Sequence, residues 1–481
     1  MKPKAKFRKT KIVCTLGPAT ISPEMIAKLI DAGMDVARLN FSHGSHEQHR
    51  QTIHTIRELS RQTGKEIGIL QDLGGPKIRL GQVSGGKMIL KHGERVTLVP
   101  GEYADGDGIP VNYPDLIEDI EVGNNILLAD GTVQLTVVEK RDKSAACEVV
   151  VGGVIYSRKG VNLPSSHLSV AAFTEKDRKD LMAGLEEKVD FVALSFIRCP
   201  EDLRDVRQII SQATYCPMLI AKIEKPQAVE NFEEILCAVD AVMVARGDLG
   251  VEMPLEEAPM IQKRIIRITR QAGKPVITAT QMLASMLENP RPTRAEATDV
   301  ANAILDGTDA LMLSDETAMG AYPVEAASTL DRIAMSTEPY VNERAFLEEE
   351  TSEMLHTIPA GISRAACELA LDLKAAAIFA TSSSGSTARL VARFRPSASV
   401  MALTDRIVTL RQLSLSWGVI PHLVSSFIDT DQMFALARSS AMEKEVVKPG
   451  DCIVITAGVP VGVTGTTNLL KVVEIKSSTG N

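Results

Sequence analysis

LIAKIEKPQAVENFEEILCAVDAVMVARGDLGVE, residues 219–252, contains two apolar runs that each end abruptly in charge. The first, begun at Met218, reads as a buried strand ending at Lys222 and Glu224; the second, AVMVARGDLG, ends likewise at Arg246 and Asp248. One helix fits between them. A strand, a crossover helix and a parallel strand bring both carboxyl ends to one sheet edge, so Lys222, Glu224, Arg246 and Asp248 are expected to converge. Two carboxylates facing one pocket repel unless a cation separates them, and Mg²⁺ is commonly held by one or two carboxylates with substrate oxygens and water. Taken singly, charges at strand ends are ordinarily solvated. Four of them following apolar runs without a turn, with Gly247 and Gly250 allowing close backbone approach, predict a divalent-metal site beside a lysine, built for an anionic substrate.

Outward from this stretch, 481 residues suggest about three domains. The chain is 44% hydrophobic but only 4% aromatic, with Trp417 its one tryptophan, which suits a parallel α/β interior. A formal charge of −8 argues against general affinity for nucleic acid or membrane surfaces. Seven scattered cysteines without a CxxC read as reduced thiols of a cytoplasmic protein. The basic start MKPKAKFRKTK lacks an apolar core, and no apolar run reaches the roughly 18 residues that a membrane span needs. His43, His46 and His49 recur every third residue, a spacing that drifts around a helix, so His46 and His49 are expected at a solvated helix start.

From residue 10 short apolar strands alternate with amphipathic helices: KIVCTLG (11–17), DVARLNF (35–41) and EIGILQDL (66–73), with Ser22 a predicted cap before Pro23 and Gly64 a predicted helix stop. Between Pro76 and about residue 170 the period changes to two, and Asp130-Gly131 marks a hairpin. The alternation resumes after Thr174, another predicted cap, with strands at 190–197, 217–224, 241–248, 275–282 and 310–317. Three strands and five make eight, the number that closes a (β/α)₈ TIM barrel with its site at the carboxyl ends of the strands. A doubly wound open sheet is the alternative, but TLGPAT after the first strand is not its dinucleotide fingerprint. The expected organisation is a discontinuous barrel (1–75 and 171–343), an inserted small β-barrel-like, all-β lid domain (76–170), and a C-terminal α/β regulatory domain (344–481) opening on a charged linker. There the loop Ser382, Ser383, Ser384, Gly385, Ser386, Thr387 joins a strand to a helix, where amides and the helix dipole favour a phosphate; an ordinary loop is the competing reading.

The rim so predicted carries Arg38, Asn40 and Ser42 after strand two, Asp72 after three, Lys222 and Glu224 after five, Arg246 and Asp248 after six, Thr278 and Thr280 after seven, and Ser314 and Glu316 after eight. Interleaved cations and carboxylates suit phosphoryl transfer, in which positioning and charge neutralisation supply most of the acceleration.

The strings ARLNFSHG (37–44), DLGGPKIR (72–79), KGVNLP (159–164), AKIEKP (221–226), MVARGDLGVE (243–252), TATQML (278–283), PRPTRAE (290–296) and DGTDALMLSDETA (306–318) together resemble pyruvate kinase over almost the whole chain. The resemblance implies phosphoryl transfer from phosphoenolpyruvate to ADP, giving pyruvate and ATP, with a divalent cation. It makes Glu224 and Asp248 ligands of Mg²⁺ (or Mn²⁺), Lys222 the cation on the transferring phosphoryl group and enolate, and Arg38 a phosphoryl contact. Gly247, Asp248 and Thr280 would meet the carboxylate end of the substrate, and Arg79, Lys159 and, more weakly, His43 the nucleotide phosphates. The enolate's proton would arrive through water near Thr280, Ser314 and Glu316. A homotetramer is also implied, and the loop Ser382–Thr387 is the expected place for a phosphorylated effector whose identity is left open.

One departure matters. Where many members bind K⁺ through residues matching Asn40, Ser42, Asp72 and position 73, this chain has Leu73, and Lys77 replaces a glutamate. A lysine ammonium can supply the monovalent charge, so activity is expected not to require K⁺. Two other readings compete: a Mg²⁺ enolate lyase or aldolase, which would not need ADP, and a regulatory binding protein on a catalytically dead barrel, which should show losses at the rim.

Overall fold

Eight short apolar runs close into one parallel barrel in the computed structural model, which describes residues 7–104, 108–164, 166, 168–349, 356–426, 429–443, 447–460 and 465–475. The barrel strands are β1 (Lys11–Leu16), β2 (Val36–Asn40), β3 (Gly68–Asp72), β4 (Phe191–Leu194), β5 (Met218–Ile223), β6 (Ala241–Ala245), β7 (Val276–Ala279) and β8 (Ala310–Leu313). Each pairs in parallel with the next, and β8 returns to β1 with Ala310 opposite Lys11. The strands are apolar on both faces because both are covered. Val13, Leu70, Phe191, Ile220, Met243 and Ile277 pack together as one cluster, and the alternate residues pack in another with the surrounding helices.

Local signals place the helices. Ser22 caps Pro23–Asp31, and Thr174 forms a capping box with Asp177 at the start of Glu175–Glu186. Ser45 and Gln48 form another box, starting His46–Thr63, which ends at Gly64. Both His46 and His49 lie at the start of this helix, His46 exposed and His49 half-buried: His46 Nε2 lies 2.7 Å from Asp180, while His49 Nε2 lies 2.9 Å from the His43 carbonyl and its ring stacks on Phe41.

Between β3 and β4 the chain builds a six-stranded sheet and a two-stranded one around Leu98, Ile126, Leu135 and Val149. Ala129, Asp130 and Gly131, all at positive φ, turn Asn125–Leu128 back onto Val133–Arg141. One short helix, Leu116–Asp119, interrupts the all-β pattern.

The C-terminal sheet is ordered Val419–Leu423, Ser399–Thr404, Ala377–Thr381, Cys452–Gly458, Thr467–Glu474, the last strand antiparallel. Its two edge strands were not foreseen. The segment read as a linker begins as a helix, Glu343–Glu348, whose Glu343 is buried and accepts the Ser397 amide at 2.8 Å. From this side the turn Leu413–Leu415 enters the amino end of the barrel: Leu415 is fully buried in the cluster formed by the inner barrel side chains. With that end stoppered, the carboxyl-end mouth is the open one. Among the described residues no helix is long and apolar enough to cross a membrane.

Candidate active site

At the mouth Lys222 sits where three acceptors meet. Its Nζ donates to Ser195 Oγ at 2.8 Å, and lies 2.8 Å from Glu224 Oε1 and 3.4 Å from Asp72 Oδ1. Asp72 uses its other oxygen to accept Arg38 Nε at 2.7 Å, and Arg38 Nη1 donates to Thr15 Oγ1 at 2.9 Å. Side chains from the ends of β1 to β5 are thus tied into one chain of contacts. Burial alone would raise Asp72, but Lys222 and Arg38 outweigh it and hold the carboxyl below its usual range. Burial likewise opposes charge on Lys222, yet Asp72 and Glu224 raise its pKa, so it stays a cation.

Glu224, 1% exposed, accepts the Phe196 amide at 2.7 Å through Oε2. Its Oε1 touches Lys222 outside hydrogen-bonding angles and has no hydrogen bond among the described residues. Asp248 lies in the first turn of the helix Arg246–Glu252. Its carboxyl is pushed up to about 6, by burial first and by the charge of Glu224 second, against the pull of Lys222. Asp248, whose charge Glu224 disfavours, and Glu224, whose Oε1 has no hydrogen bond among the described residues, are oxygen donors that fit a hard divalent cation such as Mg²⁺ or Mn²⁺. Among the described residues no group of three or more His, Cys, Asp or Glu is placed to hold a metal. Two protein carboxylates, with substrate and water completing the shell, match the way Mg²⁺ is usually held.

Thr280 occupies the left-handed region (φ 69°), uncommon for a β-branched residue. It is held there by the Gly247 amide, which donates to Thr280 Oγ1 at 2.7 Å, and by Arg246 Nη2, which donates to its carbonyl at 2.8 Å. Arg246 is anchored in turn by Asp299 at 2.6 Å. It therefore braces the loop carrying Thr280 and does not converge with Lys222 as the sequence suggested. Two other rim assignments change. Thr278 is buried and donates to Thr308 Oγ1 at 2.9 Å, while the carboxylate of Glu316 is occupied by the amides of Leu283 and Ser314. Ser314 Oγ is buried without a partner among the described residues.

Beside the carboxylate pair opens a cavity of about 340 Å³ between the mouth and the inserted sheets, lined among others by Lys77, Arg79, Lys159, Phe196, Lys225 and Asp248. Arg79 and Lys159 reach it from the inserted section; His43 is exposed and does not line it. Asn40 Oδ1 accepts the Ser42 amide at 3.1 Å, and Leu73 is packed into the core at 1% exposure. Lys77 makes no hydrogen bond or ion pair among the described residues, and burial together with Arg79 and Lys222 lowers its pKa. The hydroxyl-rich loop is partly occupied by its surroundings: Thr409 donates to the Ser383 carbonyl, Arg389 to that of Ser384, and Thr387 bonds Thr467.

Several residues were missed. Thr15 and Ser195 stand at the ends of the first and fourth strands, from which no rim residue was drawn, though both are hydroxyls closing apolar runs. Lys225 lies 2.5 Å from Glu252 Oε1, which also accepts Asn162 Nδ2 at 2.8 Å, so the inserted section is latched to the barrel beside the Glu224 and Asp248 carboxylates. Lys225 directly follows Glu224 in sequence, the one signal that could have found it.

With fixed cations flanking a carboxylate pair, the mouth can neutralise a phosphoryl group in transit without bonding to it, and the class this defines is a phosphotransferase on a (β/α)₈ barrel. Family comparison narrows the class: a model described as pyruvate kinase, barrel domain, matches residues 7–327, and one described as pyruvate kinase, alpha/beta domain, matches residues 360–473. The chain belongs to the pyruvate kinase family. It is 47% identical over 469 residues to the pyruvate kinase of Geobacillus stearothermophilus and 45% identical over 470 residues to that of Sporosarcina psychrophila, in each case across 97% of this chain and 80% of the relative. A crystal structure of a pyruvate kinase from Cryptosporidium parvum superposes with a TM-score of 0.92 at 37% identity, covering 97% of this chain and 96% of the other.

Proposed function

We propose that this chain transfers the phosphoryl group of phosphoenolpyruvate to ADP, giving pyruvate and ATP at the last step of glycolysis, in a reaction that requires Mg²⁺ or Mn²⁺. The observation that supports the metal requirement is the carboxylate pair, Glu224 with an Oε1 that has no hydrogen bond among the described residues though it lies 2.8 Å from Lys222, and Asp248 with a carboxyl pushed up to about 6. Glu224 and Asp248 hold the divalent ion, which when bound supplies positive charge to the phosphoryl oxygens and the developing enolate. Lys222 and Arg38, locked in orientation through Asp72, grip the phosphoryl group from the barrel side. The Gly247 amide and Thr280, fixed by their mutual hydrogen bond, and Asp248 beside them receive the carboxylate end of the substrate. Arg79 and Lys159 hold the nucleotide phosphates in the cleft, with His43 a weaker neighbour.

In this reading K⁺ is dispensable. Leu73 offers the region of Asn40, Ser42 and Asp72 no side-chain oxygen, and its carbonyl accepts Ser195 Oγ at 2.8 Å, while the Lys77 ammonium, within electrostatic reach of Asp72 and Asp248, supplies the charge. A phosphorylated metabolite acting at Ser382–Thr387, a homotetramer and a cytoplasmic setting complete the proposal. The glycine- and threonine-rich segment GVPVGVTGTTN (458–468), which could bracket that metabolite together with Ser382–Thr387, has residues 461–464 outside the described residues. The test is pyruvate release from phosphoenolpyruvate with and without ADP and Mg²⁺. Release that needs both, and is abolished by Glu224→Gln, supports the reading; release without ADP would favour a lyase instead.

A further inference from the structure

Positive charge accumulates a second time at the opposite, amino end of the barrel, where it meets the C-terminal sheet. Arg270, Arg389, Arg393 and Arg395 line one small cavity there with Asp309 and Ser416. Three of these arginines are at least 96% buried, with Arg270 2%, Arg393 4% and Arg395 2% exposed. Among the described residues only two have acids in contact: Arg395 donates to Asp309 at 2.9 Å, and Arg270 pairs with Glu349. Arg393 and Arg389 donate instead to neutral carbonyls, of Gln271 at 2.8 Å and Ser384 at 2.9 Å.

After these bonds, Nε of Arg270, Arg393 and Arg395, Nη1 of Arg389 and Oγ of Ser416 are buried with no partner among the described residues. Aromatic rings take up part of the charge, Phe346 under Arg270, Phe394 under Arg393 and Trp417 under Arg395. Stacking satisfies the face of a guanidinium, not its N–H edges, and none of these rings serves Arg389. Burial, with the like charge of Arg270, pushes Arg393 down to about 10. A dry site would leave the buried Arg393 and the half-buried Arg389 with no acid in contact among the described residues, a costly arrangement. One water accepts about two hydrogen bonds and brings no charge. An acceptor-only anion meets both needs, and a cavity of about 10 Å³ has room for one occupant near the size of a water.

We propose that this cavity binds a small monovalent inorganic anion of the size of chloride, which fastens the C-terminal sheet to the barrel. Because Arg389 also donates to the Ser384 carbonyl, the occupant lies one side chain away from the hydroxyl-rich loop.

The test uses the full chain and chloride as the probe. At constant ionic strength, exchanging sodium gluconate for sodium chloride should raise the thermal midpoint by roughly 3 °C, saturably, as a ligand bound only to the folded state does. In Arg389→Met the chloride shift should shrink to a small fraction. The variant should also match or exceed the parent in gluconate, because it removes a half-buried cation that has no acid in contact among the described residues. Should that variant fail to fold, crystals of the parent chain soaked in bromide serve instead, and an anomalous peak among the four arginines supports the site. Equal midpoints in the two salts with no bromide peak overturn the proposal. So does an undiminished chloride shift in Arg389→Met with no bromide peak.

Discussion

Asp72 Oδ1 lies 3.4 Å from the Lys222 ammonium at 2% exposure, and the other oxygen of Asp72 holds Arg38. One buried carboxylate thus sets the distance between the two cations proposed to grip the phosphoryl group. Losing Lys222 should remove on the order of 4 kcal/mol of charge stabilisation at an effective dielectric near 20, a drop of about 10³-fold in kcat for Lys222→Met. Asp72→Asn keeps the shape but loosens both partners and should cost ~10- to 100-fold, as losses of orienting partners at charged sites do. Asp72→Ala should in addition lose ~3–5 kcal/mol of stability, because a buried arginine is left uncompensated. Steady-state kinetics and urea unfolding measure these effects, and wild-type activity in Asp72→Asn would remove Asp72 from the site.

Lys77 stands exposed among charges, without a hydrogen bond among the described residues, at the edge of the cleft proposed to hold the nucleotide. If it replaces a monovalent cation, activity in tetramethylammonium should equal that in K⁺ within about twofold, while Lys77→Glu should lose roughly tenfold or more without K⁺ and recover part of it when K⁺ is added. A steep rise of the parent enzyme with K⁺ at equal ionic strength would end that reading.

The barrel was legible because parallel strands covered on both faces leave uninterrupted apolar runs, and eight of these can be counted along the chain. Lys222, Glu224 and Asp248 were legible for the same reason: charge stands out where an apolar run ends. Arg246 shows the limit of that logic. It ends its strand as Lys222 does, yet Asp299 and the Thr280 carbonyl draw it behind the loop, and both are distant in sequence. Thr278 and Glu316 fail similarly, because a strand's alternation or a nearby amide decides which way a side chain turns. The edge strands Val419–Leu423 and Thr467–Glu474 escaped because half-exposed edges lack the dense apolar signature of the centre.

Leu415 plugging the barrel from the C-terminal side makes the two parts depend on each other for stability. Leu415→Ala should cost ~2–5 kcal/mol, the range for emptying a well-packed leucine site. Gly68→Ala tests the same contact from the barrel, since its Cβ would fall 2.5 Å from Ser414 Oγ and 2.8 Å from Phe191. Both should lower the unfolding midpoint, and combined they should cost less than the sum of the two, because they disturb one interface. Additive losses would mean that the two contacts are independent.

Lys11 offers a pH test of that interface. Its ammonium is buried against the C-terminal sheet, donating to the Val419 carbonyl at 2.9 Å, and burial lowers its pKa to about 8 despite the opposing pull of Asp35. In the unfolded chain the group titrates near ~10.4. Between these values the unfolded state holds a proton that the folded state has released, so stability must rise with pH through the window from about 8 to about 10.4. Below about 8 both states are charged, and the folded one carries the burden of an ammonium out of water. Other lysines titrate in the same range, so the informative quantity is the difference between the parent and Lys11→Met. That difference should move in favour of the parent by roughly 3 kcal/mol across the window, at 1.36 kcal/mol per pKa unit, and stay flat below it. Urea unfolding at several pH values across the window gives the measurement. A difference that stays flat throughout would show that Lys11 keeps its proton and that its charge is compensated at the interface.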